Sequence, residues 1–79
     1  MFPLTIAKVD EILFQDDVFS VNCPGTDGEL TVLSHHVPLI TSLRKGVIRV
    51  RRAKDGKEQN FPVEQGLLEV GKEGTVILL

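Results

Sequence analysis

Very few side chains in this sequence could act as a nucleophile, a general base or a metal ligand. The candidates are Cys23, His35 and His36. A lone cysteine that closes an apolar segment is usually a small core residue, and we interpret Cys23 in that way. On an extended strand the two adjacent histidines would point to opposite faces, so they could not bind one metal ion together. We expect no catalytic, metal or cofactor site and no enzymatic activity in this chain.

The glycine-rich segment is a candidate phosphate-binding loop, and the basic segment is a candidate nucleic-acid-binding surface. The segment Gly25–Gly28 lacks the lysine of a phosphate-binding loop, and its Asp27 would repel phosphate. Seven of the nine basic residues fall between Arg44 and Lys57, although the net charge of the chain is -2. Single-stranded nucleic acid also needs exposed aromatic rings, and the chain has four Phe, no Trp and no Tyr. A nucleic-acid-binding barrel is the second hypothesis, based on the basic residues and weakened by the few aromatic rings. Its basic residues would be Arg49, Arg51, Arg52, Lys54 and Lys57.

The length and composition indicate one small globular domain that spans residues 1–79. Hydrophobic residues make up 42% of the chain and charged residues 25%, an ordinary balance for a folded protein. A single cysteine excludes a disulfide framework and suits a reducing compartment. No apolar run approaches the roughly 18 residues that a membrane-spanning helix needs.

The elements that carry these side chains are predicted to be strands. Apolar residues alternate with polar ones at Leu4 and Ile6, at Ile48 and Val50, and at Leu68 and Val70. This period of two is typical of half-buried strands. Turn residues recur every eight to twelve positions, and the pattern predicts an all-β fold, a small sandwich or barrel.

Three local predictions refine this picture. Asp55 and Gly56 lie between two alternating segments, which predicts a hairpin from Val47 to Val63 with a two-residue type I′ turn. A second hairpin is predicted from Leu67 to Leu79. The spacing of Leu30, Leu33, Val37 and Ile40 would also fit a helix, but Pro38 interrupts it at a cost of about 3 kcal/mol. We expect two short strands there, with a bend at His36–Pro38.

The segment Pro24–Val50 resembles the signature of the epsilon subunit of F-type ATP synthases. The matching elements, in chain order, are Pro24-Gly25, Asp27-Gly28-Glu29, an apolar strand, His36-Val37-Pro38-Leu39 ending in Thr41, then Gly46 and Ile48-Arg49. The similarity extends through Gly66–Val70 and Val76–Leu78, and so covers essentially the whole chain. Two positions depart from the family, which often has glycine at Thr31 and proline at Ser34.

This resemblance implies a ten-stranded, flattened β-sandwich in a non-catalytic subunit of the central stalk, the rotor. In that family the domain links the gamma subunit to the membrane c-ring and couples proton flow to ATP synthesis. The helical inhibitory domain of the family has no counterpart in this sequence. The resemblance further implies peripheral association, through the complex, with the cytoplasmic face of the bacterial plasma membrane or an equivalent energy-coupling membrane.

The resemblance also implies two contact sites. The acidic turn of the family meets the c-ring, and here it consists of Asp27, Gly28 and Glu29. The contact with gamma would be made by a first-strand lysine and the histidine-proline bend, which here are Lys8, His36, Val37, Pro38, Leu39, Ile40 and Thr41. No cofactor and no nucleic acid are implied.

Overall fold

The computed structural model describes residues 1–79, and every regular element in it is a β-strand. The strands are β1 (Phe2–Lys8), β2 (Glu11–Gly25), β3 (Gly28–Val32), β4 (Leu39–Leu43), β5 (Gly46–Arg52), β6 (Glu58–Val63), β7 (Gly66–Val70) and β8 (Thr75–Leu78). The all-β prediction is confirmed. There are eight strands rather than the expected ten.

Part of the difference comes from the unusual length of β2, which has 15 residues and would count as two strands if it were divided. Its first part, from Glu11 to Val18, pairs with β1, and its second part, up to Gly25, pairs with β5 and β3. The register shifts between Val18 and Ser20, which leaves Phe19 as an extra residue in the strand. Such bulges bend a strand, so β2 can serve both layers of the sandwich without a break.

The eight strands form one continuous sheet that folds over on itself. One layer has the order β4-β7-β8-β1-β2 and the other the order β3-β2-β5-β6. The pair β1–β8 is parallel, and the remaining pairs are antiparallel. The alternation seen in the sequence directs fourteen buried hydrophobic side chains between the layers, including Leu4, Ile6, Ile48, Leu68 and Ile77.

The hairpin of β5 and β6 is present, but its turn differs from the prediction. The Arg52 amide donates to the Lys57 carbonyl at 2.9 Å, so four residues, 53–56, form the turn. Gly56 has a φ of 70°, whereas Asp55 has no positive φ. The Asp55 carboxylate instead accepts the Lys57 amide at 3.0 Å and pairs with Arg52 at 2.7 Å. The type I′ prediction is wrong because these hydrogen bonds stabilise a longer loop.

The other two local predictions are confirmed in their main features. Strands β7 and β8 form the second hairpin, and β3 and β4 replace the rejected helix. The histidines, however, lie in the connection between β3 and β4 and not on an extended strand. His35 has a φ of 66°, and the His36 amide donates to the Leu33 carbonyl at 3.2 Å. The argument that the two imidazoles point to opposite faces of a strand was therefore wrong.

The structure contains no helix with the length and apolar character needed to cross a bilayer.

Candidate functional site

The acidic turn between β2 and β3 is held in one position by its neighbours. Gly25 pairs with Gly28, so the turn itself has two residues, Thr26 and Asp27. The amide and the hydroxyl of Thr26 both donate to the Ser42 carbonyl at 3.0 Å. Arg44 donates from Nε to the Gly25 carbonyl at 3.0 Å. These bonds attach the turn to the end of β4 and limit its motion.

Both carboxylates of this turn are available to a partner. Asp27 and Glu29 are exposed, and Gly28 between them is half-buried. Neither carboxylate belongs to the two ion pairs of the chain, Arg52–Asp55 and Lys54–Asp16. The turn therefore presents two unpaired negative charges on a firmly placed backbone.

The residues of the predicted gamma contact divide into exposed and supporting ones. Val37 is 68% exposed and Ile40 is 66% exposed. Leu39 and Thr41 lie opposite Val70 and Leu68, both of which are buried, so their side chains face the core. A partner can contact Val37 and Ile40, whereas Leu39 and Thr41 hold β4 against the core.

Lys8 lies apart from the rest of this set. It occupies the end of β1, and it lines a cleft with Leu79 and the residues 62–65. Strands β7 and β8 separate β1 from β4, which corresponds to about 14 Å at the usual spacing of strands. The structure does not bring Lys8 together with the bend at His36–Pro38.

The acidic turn and the bend at His36–Pro38 lie at opposite ends of β3, whereas Thr41 of the predicted gamma contact lies next to Ser42, to which the turn is bonded. The acidic turn precedes Gly28, and the connection with the histidines follows Val32. Five residues of strand span roughly 13 Å, and this distance separates the turn from the connection that holds the histidines. A rigid strand therefore joins them.

Sequence reasoning missed an apolar row on the outer surface of the first layer. Leu67, Leu78, Ala7 and Ile12 lie opposite one another on β7, β8, β1 and β2. Leu67, Leu78 and Ile12 are 39%, 50% and 59% exposed. The doublets Leu67-Leu68 and Leu78-Leu79 were the available signal, because two adjacent apolar residues must face both sides of a strand.

Three of the basic residues of the second hypothesis are engaged by groups of the chain itself. Arg52 is paired with Asp55, Lys54 lies 3.6 Å from Asp16, and Arg51 donates to the Gly56 carbonyl at 2.8 Å. The rings of Phe14 and Phe61 pack edge to face, with centroids 5.8 Å apart. These two rings are part of the interior or its border and offer no stacking platform.

Cys23 is a core residue, as predicted. Its side chain is buried opposite Leu30. Burial, and to a lesser extent the negative charge of Glu29, raises the pKa of the Cys23 thiol to about 12. The thiol therefore stays protonated and shielded from reagents at neutral pH.

We expect Cys23 to resist alkylation in the folded chain and to react rapidly in urea, with rates that differ at least tenfold. The chain has one cysteine, so thiol labelling followed by mass spectrometry gives an unambiguous measurement. Because the folded pKa lies above the unfolded value of 9.0, the thiol contributes fully to stability below pH 9. That contribution is lost as the pH rises from about 9 to 12. Equal labelling rates in the native and the unfolded chain would contradict this assignment.

Comparisons with known proteins show the family to which the chain belongs. The chain matches the family described as "ATP synthase, Delta/Epsilon chain, beta-sandwich domain" over residues 1–79. It is 38% identical over 77 residues to the ATP synthase epsilon chain of Dichelobacter nodosus, and the match covers 98% of this chain and 53% of that relative. The epsilon chain 2 of Burkholderia orbicola is 36% identical over 75 residues, which cover 95% of this chain and 49% of that protein.

A solved assembly contains a similar fold. A chain in the cryo-EM structure of the Euglena gracilis mitochondrial ATP synthase, OSCP/F1/c-ring in rotational state 1, superimposes with a TM-score of 0.88. The sequence identity is 25%, and the match covers 98% of this chain and 49% of that chain. The present chain thus spans about half the length of these relatives. With a match that covers all of its residues, the chain belongs to the β-sandwich domain family of ATP synthase delta and epsilon chains.

Proposed function

We propose that the chain is a non-catalytic subunit of the central stalk of an F-type, proton-translocating ATP synthase. It links the gamma subunit to the c-ring and couples proton flow to ATP synthesis. The observation that carries this proposal is the family match over residues 1–79, supported by the likeness to a chain of an F1/c-ring assembly. Its place is the surface of an energy-coupling membrane, in bacteria the cytoplasmic face of the plasma membrane, where the complex holds it peripherally.

The proposal concerns the β-sandwich. Residues 1–79 contain strands and turns and no helix. We therefore assign no helix-based inhibition of ATP hydrolysis to these residues.

The acidic turn is the proposed contact with the c-ring. Asp27 and Glu29 are exposed and unpaired, and the bonds of Thr26 and Arg44 hold the backbone at Gly25 and Thr26, just before Asp27. An exposed ion pair contributes only about 0–1 kcal/mol, so the two carboxylates must act together with other contacts. Gly28 has a φ of 135°, a conformation that favours glycine and allows the narrow turn.

The proposed contact with gamma has two parts. His36, Val37, Pro38 and Ile40 form the larger part, in which the exposed Val37 and Ile40 supply apolar area. Leu39 and Thr41 support that surface from the core side. Lys8 is a second and separate point of contact, three strands away across the sheet and at the opposite end of the strands from the bend.

The fold suits a part that transmits force. A hydrogen-bonded sheet that folds around fourteen buried hydrophobic residues resists deformation, because its interior is close-packed. The acidic turn and the bend at His36–Pro38 are joined by β3, so a displacement of the turn is transmitted to the bend.

Replacement of Glu29 by lysine is expected to weaken coupling. Reversal of this charge opposes the proposed cationic partner, and we expect a loss of about 1 kcal/mol, or fivefold in affinity. The measurement is proton-driven ATP synthesis by a synthase depleted of its epsilon subunit and titrated with the chain. The matched control is Glu58→Lys, since Glu58 is exposed on β6, at the opposite edge of the same layer. Equal half-saturating concentrations for the two variants would remove the basis for the c-ring contact.

A further inference from the structure

One side of the sandwich is open. Strand β3 pairs with β2 and with no other strand, so its second edge is free. Strand β4 pairs with β7, and on its other side it meets β2 only where Leu43 faces Gly25. β3 and β4 therefore border a gap in the sheet, although a short connection joins them.

The position of Pro24 on β2 shows which residues of β3 direct their backbone N–H and C=O groups away from β2. In an antiparallel ladder, opposed residues alternate between pairs that exchange hydrogen bonds and pairs that do not. Pro24 lies opposite Glu29 and has no amide hydrogen, and its carbonyl accepts the Arg44 amide at 2.9 Å on the other side of β2. The pair Pro24–Glu29 is therefore not hydrogen-bonded. It follows that the N–H and C=O groups of Glu29 and Thr31 point to the free edge of β3.

The other free edge of this layer is interrupted by a proline near its end. On β6, Pro62 lies opposite Val47 and has no amide hydrogen, so Pro62 and Val47 do not exchange hydrogen bonds. By the same alternation, the backbone groups of Glu58, Asn60 and Pro62 point to the free edge. Proline on an edge strand prevents further pairing, a common protection of natural sheets. β3 has no proline, and both of its outward residues retain donor and acceptor.

The side chains at the open edge indicate what would pair there. Leu30 on β3 and Leu39 on β4 face inward and pack against the core, yet both remain only partly buried. Glu29 and Thr31 lie on the outer surface, one on each side of Leu30 in the sequence. The side chains that best match this edge are an apolar residue beside Leu30 and a basic residue opposite Glu29 on the added strand.

We propose that the free edge of β3 receives an extended segment of the rotor, which adds one strand to the sheet through the main-chain groups of Glu29 and Thr31. The segment has alternating character, with a basic side chain opposite Glu29 and an apolar side chain over Leu30 and Leu39. This inference rests on the proposed function for the identity of the partner. It adds the mode of binding, in which the backbone supplies the hydrogen bonds and the side chains supply the selection.

A second copy of this chain is a poor occupant of the edge. An antiparallel β3–β3 pair that used both outward residues would place Glu29 of one copy diagonally beside Glu29 of the other. Asp27 adds a further negative charge to each copy at the start of the same strand. Repulsion between like charges disfavours this dimer and favours a basic segment.

The test uses three variants and the gamma–c-ring assembly purified from a synthase depleted of epsilon. Thr31→Pro removes an outward amide without loss of a hydrogen bond to β2, and we expect its affinity for the assembly to fall about tenfold. Thr31→Val keeps the amide but removes the hydroxyl that accepts from Asn22 at 2.8 Å, so it controls for that bond. Asn60→Pro makes the same backbone change at the edge of β6. Both controls should bind within twofold of the unmodified chain.

Amide hydrogen exchange of the unmodified chain provides a measurement that does not depend on the folding of Thr31→Pro. On binding, the amides of Glu29 and Thr31 should exchange at least tenfold more slowly, whereas those of Glu58 and Asn60 should not change. Binding with unprotected Glu29 and Thr31 amides would overturn the added strand and leave the proposed function intact. A chain that does not bind the assembly at all would overturn both.

Discussion

Replacement of Leu68 by alanine is expected to lower the free energy of unfolding by about 2–5 kcal/mol. Leu68 on β7 is fully buried, and its cross-strand neighbours are Thr41 and Ile77. Removal of its side chain leaves a cavity that a thin core cannot refill, which explains the size of the loss. A domain of this length has a total stability of roughly 4–12 kcal/mol, so the variant is expected to be partly unfolded at 37 °C.

The matched control for this change is Leu67→Ala. Leu67 is the adjacent residue of the same type on the same strand, but it is 39% exposed on the outer surface. We expect a loss of less than about 1 kcal/mol for this variant. Urea unfolding followed by far-ultraviolet circular dichroism is the suitable measurement, since the chain has no tryptophan or tyrosine to report by fluorescence. Similar midpoints for the two variants would contradict the assignment of the core.

Replacement of Gly25 by alanine is expected to cause the second large loss of folding stability. A Cβ atom at this position would lie 2.7 Å from the Gly28 carbonyl oxygen and 2.7 Å from Leu30 Cδ2. The backbone oxygen cannot move aside without a change in the turn, so we expect a destabilisation of about 1–3 kcal/mol. Thermal unfolding should shift downward by about 4–8 °C for each kcal/mol. The same change should displace Asp27, which links this variant to the proposed c-ring contact.

Gly71→Ala serves as the control for the glycine substitution. A Cβ atom there meets only the Gly74 carbonyl oxygen at 3.5 Å, an ordinary contact. The substitution should therefore leave the melting temperature unchanged or raise it slightly, because alanine restricts the unfolded chain. If Gly25→Ala melted at the same temperature as Gly71→Ala, the close packing of the acidic turn would be refuted.

In the proposed function, force must pass through the region between the two contacts. The acidic turn and the bend at His36–Pro38 are held at the two ends of β3, and the turn is further attached to β4 through Ser42. A load applied to the turn therefore reaches both strands that border the open edge. An added strand from the partner would close this edge and stiffen the route along which force passes.

The residue patterns predicted the fold class and most of the core correctly. Alternation at Leu4, Ile48 and Leu68 sufficed, because a period of two directs apolar side chains to one surface of a strand. Cys23 was placed in the core because a lone cysteine that closes an apolar segment is usually buried, and Pro38 correctly excluded a helix. The family was predicted from the segment Pro24–Val50, and the match over the whole chain confirms it.

Other features depended on contacts between distant parts of the chain. The turn of the hairpin around Asp55 was wrong because side-chain bonds to Arg52 and Lys57 outweigh the local preference of the Asp-Gly pair. The strand count is lower than ten in part because the bulge at Phe19 lets β2 continue through both layers as one strand. The position of Lys8, away from the other residues of the proposed gamma contact, follows from the sheet order, which no local pattern determines.

The sequence by itself determined the fold class, most of the inward-facing residues and the family, because these properties are carried by neighbouring residues. Only the tertiary structure decided which strands pair and which edge remains free. Strand order depends on hydrogen bonds between residues far apart in the chain, such as those that join β1 to β8 and β2 to β5. The free groups of Glu29 and Thr31 become visible only once every other ladder has been assigned.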